Sequence, residues 1–360
     1  MISESSLEFL IALLDVPGPS GFEVAPARRW RAEAEAIADE VQSDVSGNTY
    51  ATLRGEAPAD TPPLMLAGHI DEIGLMVVHI DDEGFLWFDP IGGWDPQVFV
   101  GQRVVLLGRA GPVPGVIGRI AIHLLEKEQR EKVSKTHELW IDIGATSKAN
   151  AAERVRVGDP GVLAGAVQRL PNGRLVSRSL DNRIGSFVVL ETLRRLAKGR
   201  PRVPVTAVAT SHEEICHPSG GGARPSAAGL APLAAIAVDV THATDTPGVE
   251  KKRHGDITLD GGPVLSRGSV INQRVFELLV ETAERERIPY AVKGAARDTG
   301  TDADTIYSAH RGVATGLVSV PLRYMHTPNE LVALEDLDRT ASLLAAFAMS
   351  LAPETDFVSR

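Results

Sequence analysis

Four short runs nearly free of charge, PLMLAG (63–68), VPVTAVAT (203–210), PLAAIAVDV (232–240) and GVATGLVSV (312–320), constrain the fold more than any other feature of the chain. Each has strand length and is apolar at consecutive rather than alternate positions, so each reads as a strand covered on both faces. Helical periodicity appears between and after them. Ile184, Phe187, Leu190, Leu193 and Ala197 share one face of a helix, and Leu337, Ala341, Leu344, Ala348 and Leu351 share another. The alternation predicts an α/β fold in which a mixed, largely parallel sheet is sandwiched by helices. Between about Gly74 and Ala164 the texture changes. The stretch GFLWFDPIGGWDPQVFVGQRVVLLGRAGPVPGVIG is rich in Gly, Pro and Val, turn formers recur every few residues, and the first helix-like segment is HLLEKEQREKVSK (123–135). This predicts a small β-rich domain, residues 74–164, inserted into an α/β domain built from residues 1–73 and 165–360.

At 360 residues the chain is long enough for both domains to bury their own cores. Its apolar runs fall far short of the ~18–20 residues that cross a bilayer, so no membrane partner is expected. The start, MISESSLEFLIALLD, carries Glu4 and Glu8 where a secretory signal carries basic residues, and a lone cysteine fits a reducing compartment. The expected location is cytoplasmic. A net charge of −10 argues against nucleic acid as a partner.

In an open α/β sheet, functional side chains gather beyond the carboxyl ends of the strands. His69 and Asp71 follow PLMLAG, Glu213 and Glu214 follow VPVTAVAT, Asp239 ends PLAAIAVDV, His326 follows GVATGLVSVPLRYM, and Asp181 precedes the 182–197 helix. Singly, each has an ordinary explanation: Asp181 as a helix N-cap, either histidine as a satisfied core residue, the glutamate pair as part of a solvated loop. Asp239 fits such an explanation least, because an ionised carboxylate inside an apolar strand is costly unless it pairs or binds a cation. Together, two imidazoles and several carboxylates at one sheet edge make a ligand shell for a borderline divalent ion such as zinc, cobalt or manganese. One ion needs three or four ligands, and five candidates point to two ions sharing a bridging carboxylate. Neighbours on a strand face opposite ways, so two adjacent glutamates both reach such a site only where the chain has left the strand and turned.

The strings AGHIDEIGLMV, SLDNRIGSFVVLETL, SHEEI, AVDVTHATD, GTDAD and VPLRYMHTPNE, in this order, resemble the tetrahedral (TET-type) aminopeptidases, dinuclear metallopeptidases with a zinc-exopeptidase-like fold. The resemblance runs from PGPSG (17–21) to Glu330 and includes PIGGWDPQVFVGQRV, PGVIG and WIDIGA within the insert. It implies a catalytic α/β domain and a small barrel, the insert, that serves oligomerisation. It further implies that His69, Asp181 and Asp239 hold one metal, that Asp181, Glu214 and His326 hold the other, and that Asp181 is the bridge. Glu213 matches the general base, and Asp71 the carboxylate that orients the His69 side. The implied activity is removal of N-terminal residues from short peptides by a water activated between two divalent metals, zinc or cobalt before manganese.

Thr301 and Asp302 resemble a loop that lines the substrate pocket, although a helix N-cap explains them as well. Arg323 and Lys293 would favour acidic substrates if they face that pocket, and would otherwise sit in surface pairs. Trp87, Trp94 and Phe99 in the insert read as core or interface residues rather than ligand-binding ones; the resemblance implies a dimer-based, dodecameric tetrahedral homo-oligomer and, with it, an interface role for them. Cys216 and His217 match nothing in the family, where the segment after the glutamates is shorter; they mark a structural or substrate-rim difference. His123 and His242 are candidates for the rim of the site. Three rival functions stand beside the aminopeptidase: a dinuclear carboxypeptidase or deacylase on the same fold, a glycosidase using the paired carboxylates, and a non-catalytic shell-forming homologue. The complete ligand set argues against the last two.

Overall fold

The computed structural model describes residues 1–58, 60–216 and 220–358, with Gln129 and Cys216 described by their backbone only. The Cys216–His217 step singled out above therefore lies outside the described side chains. Among the described residues, eleven strands form one mixed sheet. At its centre Val205–Thr210, Leu64–His69, Ala234–His242 and Thr315–Arg323 lie side by side and parallel, so four carboxyl ends share one edge. Antiparallel strands extend it, Thr49–Leu53 and Glu40–Ser43 on one side and Glu330–Ala333, Arg174–Ser177 and Gln168–Leu170 on the other. Val264–Arg267 pairs with Thr315–Arg323 and carries Ala291–Gly294 beside it.

Although apolar throughout, the central strands divide their side chains between two cores. Leu64, Leu66, Val205, Ala207, Ile236 and Val238 face the larger one, roofed by the helices Leu180–Leu196 and Leu334–Ser350 through Ile184, Phe187, Leu337, Leu344 and Phe347. Met65, Ala67, Val208, Ala235 and Ala237 face the other, under the helices Ala223–Leu230 and Ala303–Ile306. Truncating Phe187 or Phe347 to alanine in such a core costs about 3–5 kcal/mol. His69 keeps the parity of Met65 and Ala67, and Asp239 that of Ala235 and Ala237. The strand period of two therefore puts both at the carboxyl edge on the same face.

Two glycines set how close the first helix comes. A Cβ on Gly68 would lie 2.4 Å from the Gly185 carbonyl carbon, and one on Gly185 would lie 2.5 Å from the Val238 carbonyl oxygen. Backbone contact at this point brings the start of the helix Leu180–Leu196, and Asp181 with it, to the strand ends. Asp181 and Asn182 depart from helical backbone angles, and the peptide bond between them is cis.

Six further strands, Gly74–Ile80, Leu86–Ile91, Trp140–Asp142, Gly111–Gly118, Arg103–Gly108 and Pro160–Leu163, close into an antiparallel barrel. Its core includes Leu75, Leu86, Phe88, Val104, Leu106 and Ile141. Phe99 corrects the interface expectation: it is fully buried in this core, edge-on to Phe88 with ring centroids 5.3 Å apart and 4.7 Å from Trp94. Trp87 and Trp94 are half-buried. The charged stretch 123–135 also differs from its helical reading. It supplies only part of the short 3₁₀ turn Ile122–Leu124 and one helical turn, Lys127–Arg130. Leu124 and Val133 are exposed, so the segment has no apolar stripe to bury, and so short a helix has little stability of its own. No helix among the described residues is long and apolar enough to cross a membrane.

Candidate active site

Asp181 stands between the two imidazoles. Its Oδ1 lies 3.3 Å from His69 Nε2 and its Oδ2 lies 3.3 Å from His326 Nε2. Glu214 Oε2 is 3.5 Å from the same His326 nitrogen, and Glu213 Oε2 is 3.7 Å from His69 Nε2. One donor atom from each of His69, Asp181 and Glu214 lies within 4.8 Å of the other two. Asp239, Thr301, His242 and Lys293 line the same cleft. The adjacency of the glutamates has a local cause. The strand ends at Thr210, His212 turns the chain with φ +61°, and Glu213 and Glu214 begin the single helical turn Glu213–Cys216.

The cluster is crowded with charge. Burial pushes Glu213 well above the usual carboxylate range; His69 opposes this, while Asp239, Asp302 and Glu214 add to it. Asp239 and Glu214 are also raised, chiefly by burial. Asp181 is lowered, because hydrogen bonds from His326 and His69 outweigh its burial. Burial alone would lower the two histidines, but Glu213, Asp181 and Asp71 hold His69 well above the imidazole range, and Asp181 and Glu214 push His326 up to about 11. Carboxylates crowded this closely favour positive charge among them. Glu214 Oε1 is buried with no hydrogen-bond partner, as an oxygen reserved for a cation would be. Two imidazoles with three or more carboxylates are the donor set of a divalent transition ion, and the residues fit one.

Several residues hold these side chains in place, some of which the sequence did not single out. Asp71 does more than face His69, whose Nδ1 is 3.4 Å from Asp71 Oδ1. It accepts the backbone N–H groups of Glu213 at 3.2 Å and Glu214 at 3.1 Å, and the hydroxyl of Ser20. Glu330 is buried and accepts the N–H of Asp181 at 3.0 Å and of His326 at 2.9 Å. Its sequence signal was available: like Asp239, it is a carboxylate at one end of an apolar strand, ELVA. Beneath the site, Glu72 pairs with Arg178 and, at 2.9 Å, with Arg183, which is wholly buried. Arg183 also donates to the carbonyls of Leu13, at 2.8 Å, and Ile70, at 3.2 Å.

The remaining expectations divide. Thr301 lines the cleft, whereas Asp302 sits behind it and accepts the Thr210 hydroxyl at 2.6 Å. Arg323 is not among the lining residues; its guanidinium is held 2.8 Å from Asp245, so the surface-pair alternative applies. Lys293 lines the cleft and donates to Thr241 Oγ1 at 2.8 Å. His123 is exposed on the barrel segment.

A parallel sheet whose carboxyl edge carries a buried imidazole–carboxylate cluster, with a barrel set beside it, is the architecture of a hydrolase of the peptidase class. The model of the M42 glutamyl aminopeptidase family matches residues 47–343, and the chain belongs to that family. It is 34% identical to the lysyl aminopeptidase of Pyrococcus furiosus over 352 residues, 96% of this chain and 97% of that protein. The TET aminopeptidase from the marine sediment archaeon Thaumarchaeota archaeon SCGC AB-539-E09 superposes with a TM-score of 0.91 at 32% identity, covering 97% of each chain. The Pyrococcus horikoshii TET1 peptidase, which can assemble into a tetrahedron or a large octahedral shell, superposes at 0.85 with 28% identity, over 96% of this chain and 100% of that one.

Proposed function

We propose that this aminopeptidase removes N-terminal residues from short peptides at a centre of two divalent ions, zinc or cobalt before manganese. The observation that carries the reading is Asp181, which turns one carboxylate oxygen to each imidazole at the same 3.3 Å. His69, Asp181 and Asp239 would hold one ion, and Asp181, Glu214 and His326 the other. Two ions there would acidify the attacking water and polarise the scissile carbonyl. The chain's own groups do the rest. Glu213, raised by burial and beside His69, is placed to take the proton of the attacking water and give it to the leaving amine. Asp71 fixes the turn that carries both glutamates, so the base and the ligand keep their separate directions.

Lys293 gives the cleft a cationic wall. Its ammonium donates to Thr241 and feels the charge of Asp239, and no ion pair within 4.0 Å holds it among the described residues, so an acidic first side chain would pair with it. The barrel, within residues 74–164, is read as the inserted oligomerisation domain on residues 1–73 and 165–360. Shell assembly of the Pyrococcus horikoshii relative supports a homo-oligomer here, proposed as a dimer-based tetrahedral dodecamer. The lone cysteine supports a cytoplasmic location.

The rival on the same fold, a carboxypeptidase or deacylase, is separated by one comparison. A free tripeptide and its N-acetylated form are offered to the enzyme with zinc or cobalt. Release of the first residue from the free peptide alone supports the proposal; equal turnover of the blocked peptide refutes it.

A further inference from the structure

The two imidazoles are oriented by different parts of the molecule. His69 is held within the α/β sheet, its Nδ1 against Asp71. His326 is held by the barrel: its Nδ1 lies 2.7 Å from the carbonyl oxygen of Gly93, in the loop that follows the barrel strand Leu86–Ile91. A carbonyl oxygen only accepts, so Nδ1 carries a proton, and the nitrogen left to give up its proton and offer a lone pair to an ion is Nε2. That nitrogen faces Asp181 and Glu214.

The loop is shaped for this approach and tied to the barrel. Gly92 adopts φ +79°, and a Cβ there would meet Ile73 Cγ2 at 2.5 Å and Glu214 Oε2 at 3.5 Å. A Cβ on Gly93 would come within 3.4 Å of His326 Nδ1 and 3.6 Å of Cε1. Next in the chain, Trp94 donates its indole N–H to the Ile91 carbonyl at 3.2 Å and packs on the buried Phe99. The position of the Gly93 carbonyl thus follows the barrel core.

We propose that the barrel is a positioning element of the active site: the Gly93 carbonyl sets the tautomer and place of His326, and so controls ion binding on the Glu214–His326 side. The idea rests on the two-ion reading for its fullest form, but its test does not depend on that reading. Gly93 is exposed with an ordinary backbone, so Gly93→Ala and the bulkier Gly93→Val are compatible with folding. Cobalt or zinc binding is measured by calorimetry and by elemental analysis after dialysis, in the wild type, Gly93→Val, His326→Ala and the double variant. Loss of a hydrogen bond that orients a ligand lowers metal affinity about 10–100-fold. Gly93→Val is expected to show that loss for one ion, Gly93→Ala a smaller one, and the double variant no more than His326→Ala alone. Losses that add in the double variant, or wild-type affinity in Gly93→Val, would overturn the proposal. Fewer than two ions in the wild type would count against the two-ion centre, while the same cycle still reports whether Gly93 acts through His326.

Discussion

Glu330 and Asp181 are joined by a hydrogen bond of 3.0 Å from the Asp181 backbone N–H to Glu330 Oε2, while the other oxygen of Glu330 takes the N–H of His326 at 2.9 Å. One buried carboxylate thereby ties together the backbones of a helix start and a strand end that each deliver a candidate ligand. Both oxygens are needed as acceptors. Glu330→Gln turns an amide NH₂ toward one of the two N–H groups and leaves that donor unsatisfied. Denaturant unfolding is expected to show a loss of about 1–3 kcal/mol. Elemental analysis of the same variant is expected to show reduced metal content.

Glu213 and Asp181 are expected to separate chemistry from binding. Glu213→Gln should keep the metal content of the wild type and lose at least ~10² in kcat. Asp181→Asn should lose metal first and activity with it. Unchanged turnover in Glu213→Gln would remove it as the base.

Ion binding is expected to strengthen as pH rises. Burial raises Asp239 and Glu214, and His326 sits at about 11 because Asp181 and Glu214 outweigh its burial. His326 holds a proton that an ion must displace, and the upward shifts of Asp239 and Glu214 act in the same direction, so binding releases protons and affinity falls as pH falls. Cobalt titrations between about pH 6 and 8, run in two buffers of different ionisation enthalpy, measure the number released. A chelator should abolish hydrolysis, and re-added cobalt or zinc should restore it.

Lys293 is expected to set side-chain preference. A hydrogen bond to a charged group contributes about 1.5–3 kcal/mol, so Lys293→Ala should lower kcat/KM for glutamyl substrates about 10–100-fold relative to alanyl ones. Lys293→Glu should move the preference toward lysyl substrates. A panel of aminoacyl anilides on metal-analysed protein reads both, and an unchanged ranking would remove Lys293 from the pocket.

The sequence by itself determined the elements and what stands at their ends. Consecutive apolar runs identified the four central strands and put His69 and Asp239 at their carboxyl ends, while the pairing of the two strands, Ala237 opposite Ala67, decided that both side chains share one face. The adjacent glutamates required a turn, and His212 supplies it. Only the tertiary structure decided which groups meet across long stretches of chain. Glu330 beneath Asp181, Arg183 on Glu72, Arg323 on Asp245 and Gly93 on His326 are contacts between residues dozens to well over a hundred positions apart. Local periodicity says which way a side chain or carbonyl points but not what the rest of the chain brings there. For Phe99 the pattern could not choose core over interface, and burial inside the closed barrel chose. Hydrogen-bond partners and shared burial are properties of packed surfaces, and packing exists only once helix, sheet and barrel have come together.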